Sequence, residues 1–384
     1  MSPGPLPTTS FASWGLGLER PLLIAGPCSA ESADQVLATA RGIRKHAPQV
    51  KAFRAGVWKP RTRPDSFEGV GAEALSWLRD VKKETGLLTM TEVATTDHVE
   101  ACLNSGVDML WIGARTTPNP FSIQEIANAL RGVDIPVFVK NPIHPDLELW
   151  IGALERLSRA GITKLAAIHR GFSWFEHRDP NKPAATRNST MWEFPIRLKV
   201  AFPELELLCD PSHIAGSLDG LDQISQRALD LNFSGLMIET HYDPMKALSD
   251  PQQQLDPSAL GDLLASLIFR QASPTAEGQD HLRDLRDLID QLDEDIAQKL
   301  GARMDIVERI GEYKAQHNVA ILQPARWEQI MRRQHHLCLE LGLDAGFVEA
   351  FMNAIHDESI RRQTVDEEDA LVGIPGGRSK HHEE

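Results

Sequence analysis

The chain has 384 residues, 42% hydrophobic and 24% charged, ordinary globular values that exclude a disordered chain, a collagen and a disulfide-stapled miniature. Lys and Arg number 40 against 54 Asp and Glu, a formal net charge of -14 that repels nucleic acid and anionic membrane surfaces. Four cysteines (Cys28, Cys102, Cys209, Cys338) without CxxC spacing suit a reducing compartment, so a cytoplasmic protein is expected.

The first residues, MSPGPLPTTSFASWG, lack the basic start and apolar run of a signal peptide, and no apolar stretch reaches the roughly 18 residues of a membrane span. From Leu22 to about Phe269, short apolar segments alternate with longer amphipathic ones. The predicted strands are Leu22–Ser29, Val50–Val57, Leu87–Val93, Met109–Ala114, Pro136–Asn141, Lys164–Arg170, Glu206–His213 and Gly235–His241. Eight βα units in about 250 residues predict an α/β fold, a closed (β/α)8 TIM barrel, and no GxGxxG follows the first strand to suggest a dinucleotide fold instead.

At QASPTAEGQ (271–279) the composition turns small and polar, which predicts a linker. Beyond it Leu282, Leu285, Ile289, Leu292, Ile296, Leu300, Val307 and Ile310 form a helical stripe from Asp280 to about Gln316. Such a helix spans roughly 50 Å at 1.5 Å per residue, too long for two shorter helices, after Pro324 and over Ala345–Gln363, to cover. A second copy of the chain is the expected cover, a homodimer through the helical domain. The expected organisation is a barrel over 1–270, a linker over 271–279, an all-α domain over 280–369 and a disordered tail over 370–384.

Polar residues gather where barrel active sites lie, at the C-terminal strand ends. Cys28 ends the first strand, His213 the seventh and Glu239 the eighth, and Asp250 follows in ALSDPQQQL. Singly such residues are ordinarily structural. Together a thiolate, an imidazole and two carboxylates suit a divalent metal such as manganese, iron, cobalt or zinc. The same rim carries Arg54, Lys59, Arg61, Arg115, Lys140 and Arg170, and an acidic chain that concentrates cations in one concavity is expected to bind anionic substrates.

AGPCSAES, FRAGVWKPRT, IGART, VFVK, HRG, DPSH and MIETHYDPMKALSDPQQQL together resemble the 3-deoxy-D-arabino-heptulosonate 7-phosphate (DAHP) synthases, in the branch with the shortest barrels, across nearly all of residues 20–270. The resemblance implies condensation of phosphoenolpyruvate with erythrose 4-phosphate, releasing phosphate, as the first step of aromatic biosynthesis. It places metal ligands on Cys28, His213, Glu239 and Asp250. Phosphoenolpyruvate contacts fall on Arg54, Lys59, Arg115, Lys140 and Arg170, and erythrose 4-phosphate contacts on Lys59, Pro60, Arg61 and Thr62. Lys140, flanked by other cations and so with a reason for a lowered pKa, is the candidate proton donor. The 3-deoxy-D-manno-octulosonate 8-phosphate synthases are the nearest competitor, but their sugar motif reads Lys-Ala-Asn-Arg-Ser, and here Pro60 and Thr62 stand instead.

LRDLIDQLDEDIAQKLGARMDIVERIGEYKA resembles the all-helical chorismate mutases, with similarity to about Gln363. Arg303 and Lys314, eleven residues apart, return to nearly one helix face, whereas Arg286 sits on another, as in a site completed by a second subunit. The resemblance places chorismate or prephenate contacts on Arg286, Arg303, Lys314, Gln323, Arg326, Ser359 and Gln363, with Arg303, Lys314 and Gln363 catalytic. Gln323 and Trp327 stand where that family has Asp and Glu for the ring hydroxyl. Two readings follow: a bifunctional enzyme, or a barrel controlled by a non-catalytic sensing and dimerisation module. Chorismate or prephenate is the expected effector in either.

Overall fold

Each of the eight apolar segments contains a strand in the computed structural model, which describes residues 6–59, 67–173, 186–270 and 276–364. They are β1 (Leu22–Gly26), β2 (Ala52–Arg54), β3 (Leu88–Val93), β4 (Met109–Ile112), β5 (Val137–Lys140), β6 (Leu165–His169), β7 (Glu206–Cys209) and β8 (Gly235–Glu239). All pair in parallel in chain order, and β8 closes on β1 with Leu22 opposite Gly235 and Gly26 opposite Glu239. This is the expected (β/α)8 barrel.

The strands are shorter than the apolar runs that mark them, because the rim residues leave the ladder for side-chain partners. Val57, expected to end the second strand, gives its N–H to Thr91 Oγ1 at 3.3 Å. At the end of β7 the chain turns into a one-turn helix, Pro211–Ala215, with Asp210 as its cap and Pro211 at its first position. His213 therefore stands on a helical turn, not at a strand end, and Cys28 lies two residues beyond β1.

Ile24, Met90, Met109, Trp111, Phe138, Leu208 and Met237 fill the barrel interior. Phe11 and Trp14, in a short turn ahead of β1, pack on Phe138 from the N-terminal end, with Trp14 edge-on at 5.6 Å. The opposite rim is left for chemistry. A second apolar layer, including Leu78, Ile126, Trp150 and Leu154, lies between strands and outer helices. Ser32, Thr95, Asn119, Asp146 and Asp256 cap the helices they precede, fixing where the loops ahead of those helices end.

The chain divides into two compact units, 1–272 and 273–384. The second holds helices Ala276–Gln316, Pro324–Leu341 and Ala345–Gln363. The first begins inside the segment expected as linker: Ala276 and Glu277 favour helix, and extending a formed helix costs far less than nucleating one. Met304, Val307, Cys338, Val348, Met352 and Ile355 form this unit's core. Gly311 permits close packing of the last helix, since a Cβ there would stand 3.1 Å from Gln363 Cγ. No helix among the described residues is long and apolar enough to cross a membrane, and all four cysteines are free.

Candidate active sites

The barrel rim is built on buried charge. Arg54, at the end of β2, is 1% exposed; its Nη2 donates to the Cys28 carbonyl at 3.2 Å and stands 3.4 Å from Glu239 Oε1. The Trp111 ring lies 4.8 Å below it, an apolar floor with a negative face. Lys140, the last residue of β5, donates to Asp210 Oδ2 at 2.6 Å. Burial pushes the Lys140 ammonium below its ordinary pKa, and Arg54 adds to that against the pull of Asp210.

Asp210 ties the site together. Its Oδ1 accepts from the His213 backbone N–H at 3.1 Å and lies 3.0 Å from His213 Nδ1. Although burial opposes ionisation, His213 and Lys140 hold the Asp210 carboxyl well below the usual range. With Nδ1–H given to this carboxylate, His213 turns its Nε2 lone pair toward Glu239 Oε1, 3.7 Å away. Burial lowers the His213 pKa, keeping the imidazole neutral and able to ligate.

The four predicted metal ligands stand as two pairs. Cys28 Sγ lies 3.3 Å from Asp250 Oδ2, and His213 faces Glu239. Among the described residues no three His, Cys, Asp or Glu side chains are drawn together as a ready metal cage. Lys59 Nζ donates to Cys28 Sγ at 3.0 Å, and Arg187 pairs with Asp250 at 3.0 Å. The donor set nonetheless fits a divalent cation: Glu239 Oε1 is buried without a hydrogen bond, and a carboxylate orients the imidazole. Burial, with Glu239 and Asp250 nearby, pushes the Cys28 thiol up to about 12. Asp250, against its partial burial, is held down to about 2 by Arg187 and His213. Its backbone is left-handed at φ 46°, an uncommon conformation for a residue before proline.

Lys59, Arg115, Lys140, Arg170, His213 and Asp250 all line one cavity of about 180 Å³, with Arg54 beneath the Cys28 end. Burial lowers the Arg170 pKa, and the nearby Arg187 and Arg115 add to this. Pro60, Arg61 and Thr62 lie outside the described residues. The sequence reading missed Asp210, Arg187, Glu92 and the amides Gln253 and Gln254. Gln253 donates to Glu239 Oε2 at 2.6 Å, and Gln254 accepts the Cys28 N–H at 2.9 Å. Asp210 was visible in CDPSH as an acid placed to cap a turn; nothing local marks Glu92, which accepts from Trp111 Nε1 at 3.2 Å.

The helical unit has its own cavity, of about 380 Å³, lined by Arg303, Lys314, Gln323, Arg326, Trp327, His356, Ser359 and Gln363 among others. Arg303 Nη1 donates to Ser359 Oγ at 2.6 Å, and Lys314 Nζ to Gln363 Oε1 at 3.0 Å and Ile321 O at 2.7 Å. Six of the seven predicted residues thus meet. Arg286 is exposed and does not line this cavity.

Residues 13–268 match the DAHP synthetase I family, and residues 285–364 match chorismate mutase type II. Among curated proteins, a phospho-2-dehydro-3-deoxyheptonate aldolase of Thermotoga maritima is 33% identical over 61% of this chain and 65% of its own length. The chain thus spans just under two thirds of that relative. A 2-dehydro-3-deoxyphosphooctonate aldolase of Aromatoleum aromaticum is 27% identical over 65% of this chain and 91% of its own. The crystal structure of the Thermotoga maritima enzyme superposes with a TM-score of 0.58 and 28% identity, covering 67% of this chain and 72% of that one.

Proposed function

Because the chain belongs to the DAHP synthetase I family and carries a chorismate mutase type II domain, we propose that its barrel condenses phosphoenolpyruvate with erythrose 4-phosphate and that its helical domain converts chorismate to prephenate. The observation that carries the first reading is the cavity that gathers Lys59, Arg115, Lys140 and Arg170 in an acidic protein. Phosphoenolpyruvate brings a phosphate and a carboxylate, and forked guanidiniums with movable ammoniums match both. Arg54, held on Trp111, adds fixed positive charge beneath them. Lys59, Pro60, Arg61 and Thr62 would take the sugar phosphate.

Cys28, His213, Glu239 and Asp250 would hold manganese, iron, cobalt or zinc, which when bound polarises the aldehyde oxygen or lowers the pKa of a water. Lys140 would give its proton to the oxygen that gains charge as the carbon–carbon bond forms. Its lowered pKa suits that task, and Asp210 fixes where its ammonium points. A water would add to the former enol carbon, left electron-deficient by that carbon–carbon bond, and as the phosphate leaves from it the cations would steady the departing charge.

In the helical cavity Arg303 and Arg326 would bind the carboxylates of chorismate, helped by Ser359 and Gln323. Lys314 and Gln363 would face the ether oxygen, where negative charge develops as that bond breaks. Arg286 would reach this site from a second copy. A homodimer is supported by the exposed Leu285, Ile289, Leu292 and Ile296 and by an apolar groove of about 640 Å³ lined by Leu292, Ile296, Leu337, Leu341 and Phe347. Chorismate or prephenate, bound in the cavity of Arg303 and Lys314, would lower the condensation rate as a feedback signal, and four free thiols suit the cytoplasm.

The test is consumption of phosphoenolpyruvate with erythrose 4-phosphate or with arabinose 5-phosphate. Turnover with the four-carbon sugar supports the proposal. Turnover with the pentose alone supports the octulosonate reading that the Aromatoleum aromaticum relative brings.

A further inference from the structure

In the helical cavity each cation has a neutral holder, but among the described residues two ring side chains have none. Ser359 Oγ receives Arg303 and donates to Ile355 O at 2.6 Å, while Gln363 uses its oxygen on Lys314 and its Nε2 on Ser359 O at 3.1 Å. His356, on the last helix, is half-buried, and among the described residues its ring makes no hydrogen bond. The Asp357 carboxylate, its Oδ1 3.9 Å from Nδ1, stands beyond hydrogen-bonding range. Trp327 lies against it with ring centroids 4.1 Å apart and planes 41° apart.

We propose that His356 recognises the ring hydroxyl of the substrate, which rests on the reading of this cavity as a chorismate site. The dianion's carboxylates have Arg303 and Arg326 to meet and its ether oxygen has Lys314, and a hydroxyl that must both donate and accept remains. A neutral imidazole carries one acceptor nitrogen and one N–H, and so complements it. Gln323 is exposed, so solvent competes for its amide and it discriminates less. Trp327 is then a positioning residue: too bulky and too poor in acceptors to bind the hydroxyl as a carboxylate does, it holds the imidazole plane and offers an indole N–H beside it.

The full-length protein is assayed with chorismate and with an analogue whose ring hydroxyl is replaced by hydrogen. H356L is expected to lower kcat/KM for chorismate about tenfold and leave the analogue unchanged, collapsing the preference between them. H356Q, which keeps a donor and an acceptor, restores part of it. Equal losses on both substrates, or an unchanged preference, overturn the assignment and leave the mutase reading standing. A wild-type protein that neither consumes chorismate nor binds it in calorimetry overturns both.

Discussion

The two cavities treat charge in opposite ways. At the barrel rim each buried cation meets an anion: Lys140 meets Asp210, and Arg54 lies beside Glu239. In the helical cavity, among the described residues, Arg303 and Lys314 are held by a hydroxyl, an amide and a backbone carbonyl, and Arg326 by the amide of Gln329 at 3.1 Å. A rigid scaffold sustains the first arrangement, because a closed sheet fixes each strand end against its neighbours. The second leaves positive charge uncompensated until a dianion arrives, which suits a rearrangement that needs a field and a folded conformer but no proton transfer.

Removing one charge at a time separates the two arrangements. Lys140→Met should lower condensation by about 10²–10⁴-fold, the reach of a general acid, while chorismate turnover holds. If metal-free substrate binding is lost as well, Lys140 is a binding group. Conversely, Lys314→Met should lower chorismate turnover by about 10²–10³-fold and leave phosphoenolpyruvate consumption intact. Stability should split in the same way. Asp210→Leu strands the buried Lys140 and should cost about 3–5 kcal/mol in denaturant unfolding, whereas Arg303→Met removes a partly exposed cation with neutral holders and should cost about 0.5 kcal/mol or less.

A further difference at the barrel rim concerns pH. Since burial holds the Cys28 thiol at about 12, it is protonated at neutral pH and must lose its proton to ligate. Metal affinity should therefore rise about tenfold per pH unit from pH 7 to 9, read from the thiolate-to-cobalt absorption band on titration with Co²⁺. An affinity independent of pH would remove Cys28 from the ligand set.

The same contrast explains what the sequence made legible. Eight apolar runs and a cluster of rim cations revealed the barrel and the cationic lining of its rim cavity, since strand periodicity and strand-end position are local properties. Asp210 and Gln253 were missed because their importance comes from what the fold brings beside them: Lys140 is 70 residues from Asp210, and Glu239 is 14 from Gln253. His213 was placed on a strand because CDPSH follows an apolar run; the cap and the proline turn it into a helix. In the helical unit the 3.6-residue stripe gave the elements and the cation faces. His356 carried no signal, because one histidine on a helix becomes informative only when Trp327 is seen against it.

The most direct test of two independent chemistries in one chain is chorismate absorbance, followed in the full-length protein after chelator treatment that has stopped phosphoenolpyruvate consumption. Continued conversion of chorismate to prephenate is the predicted result. Chorismate left untouched by protein that still binds it would contradict the account and make the helical unit a sensor.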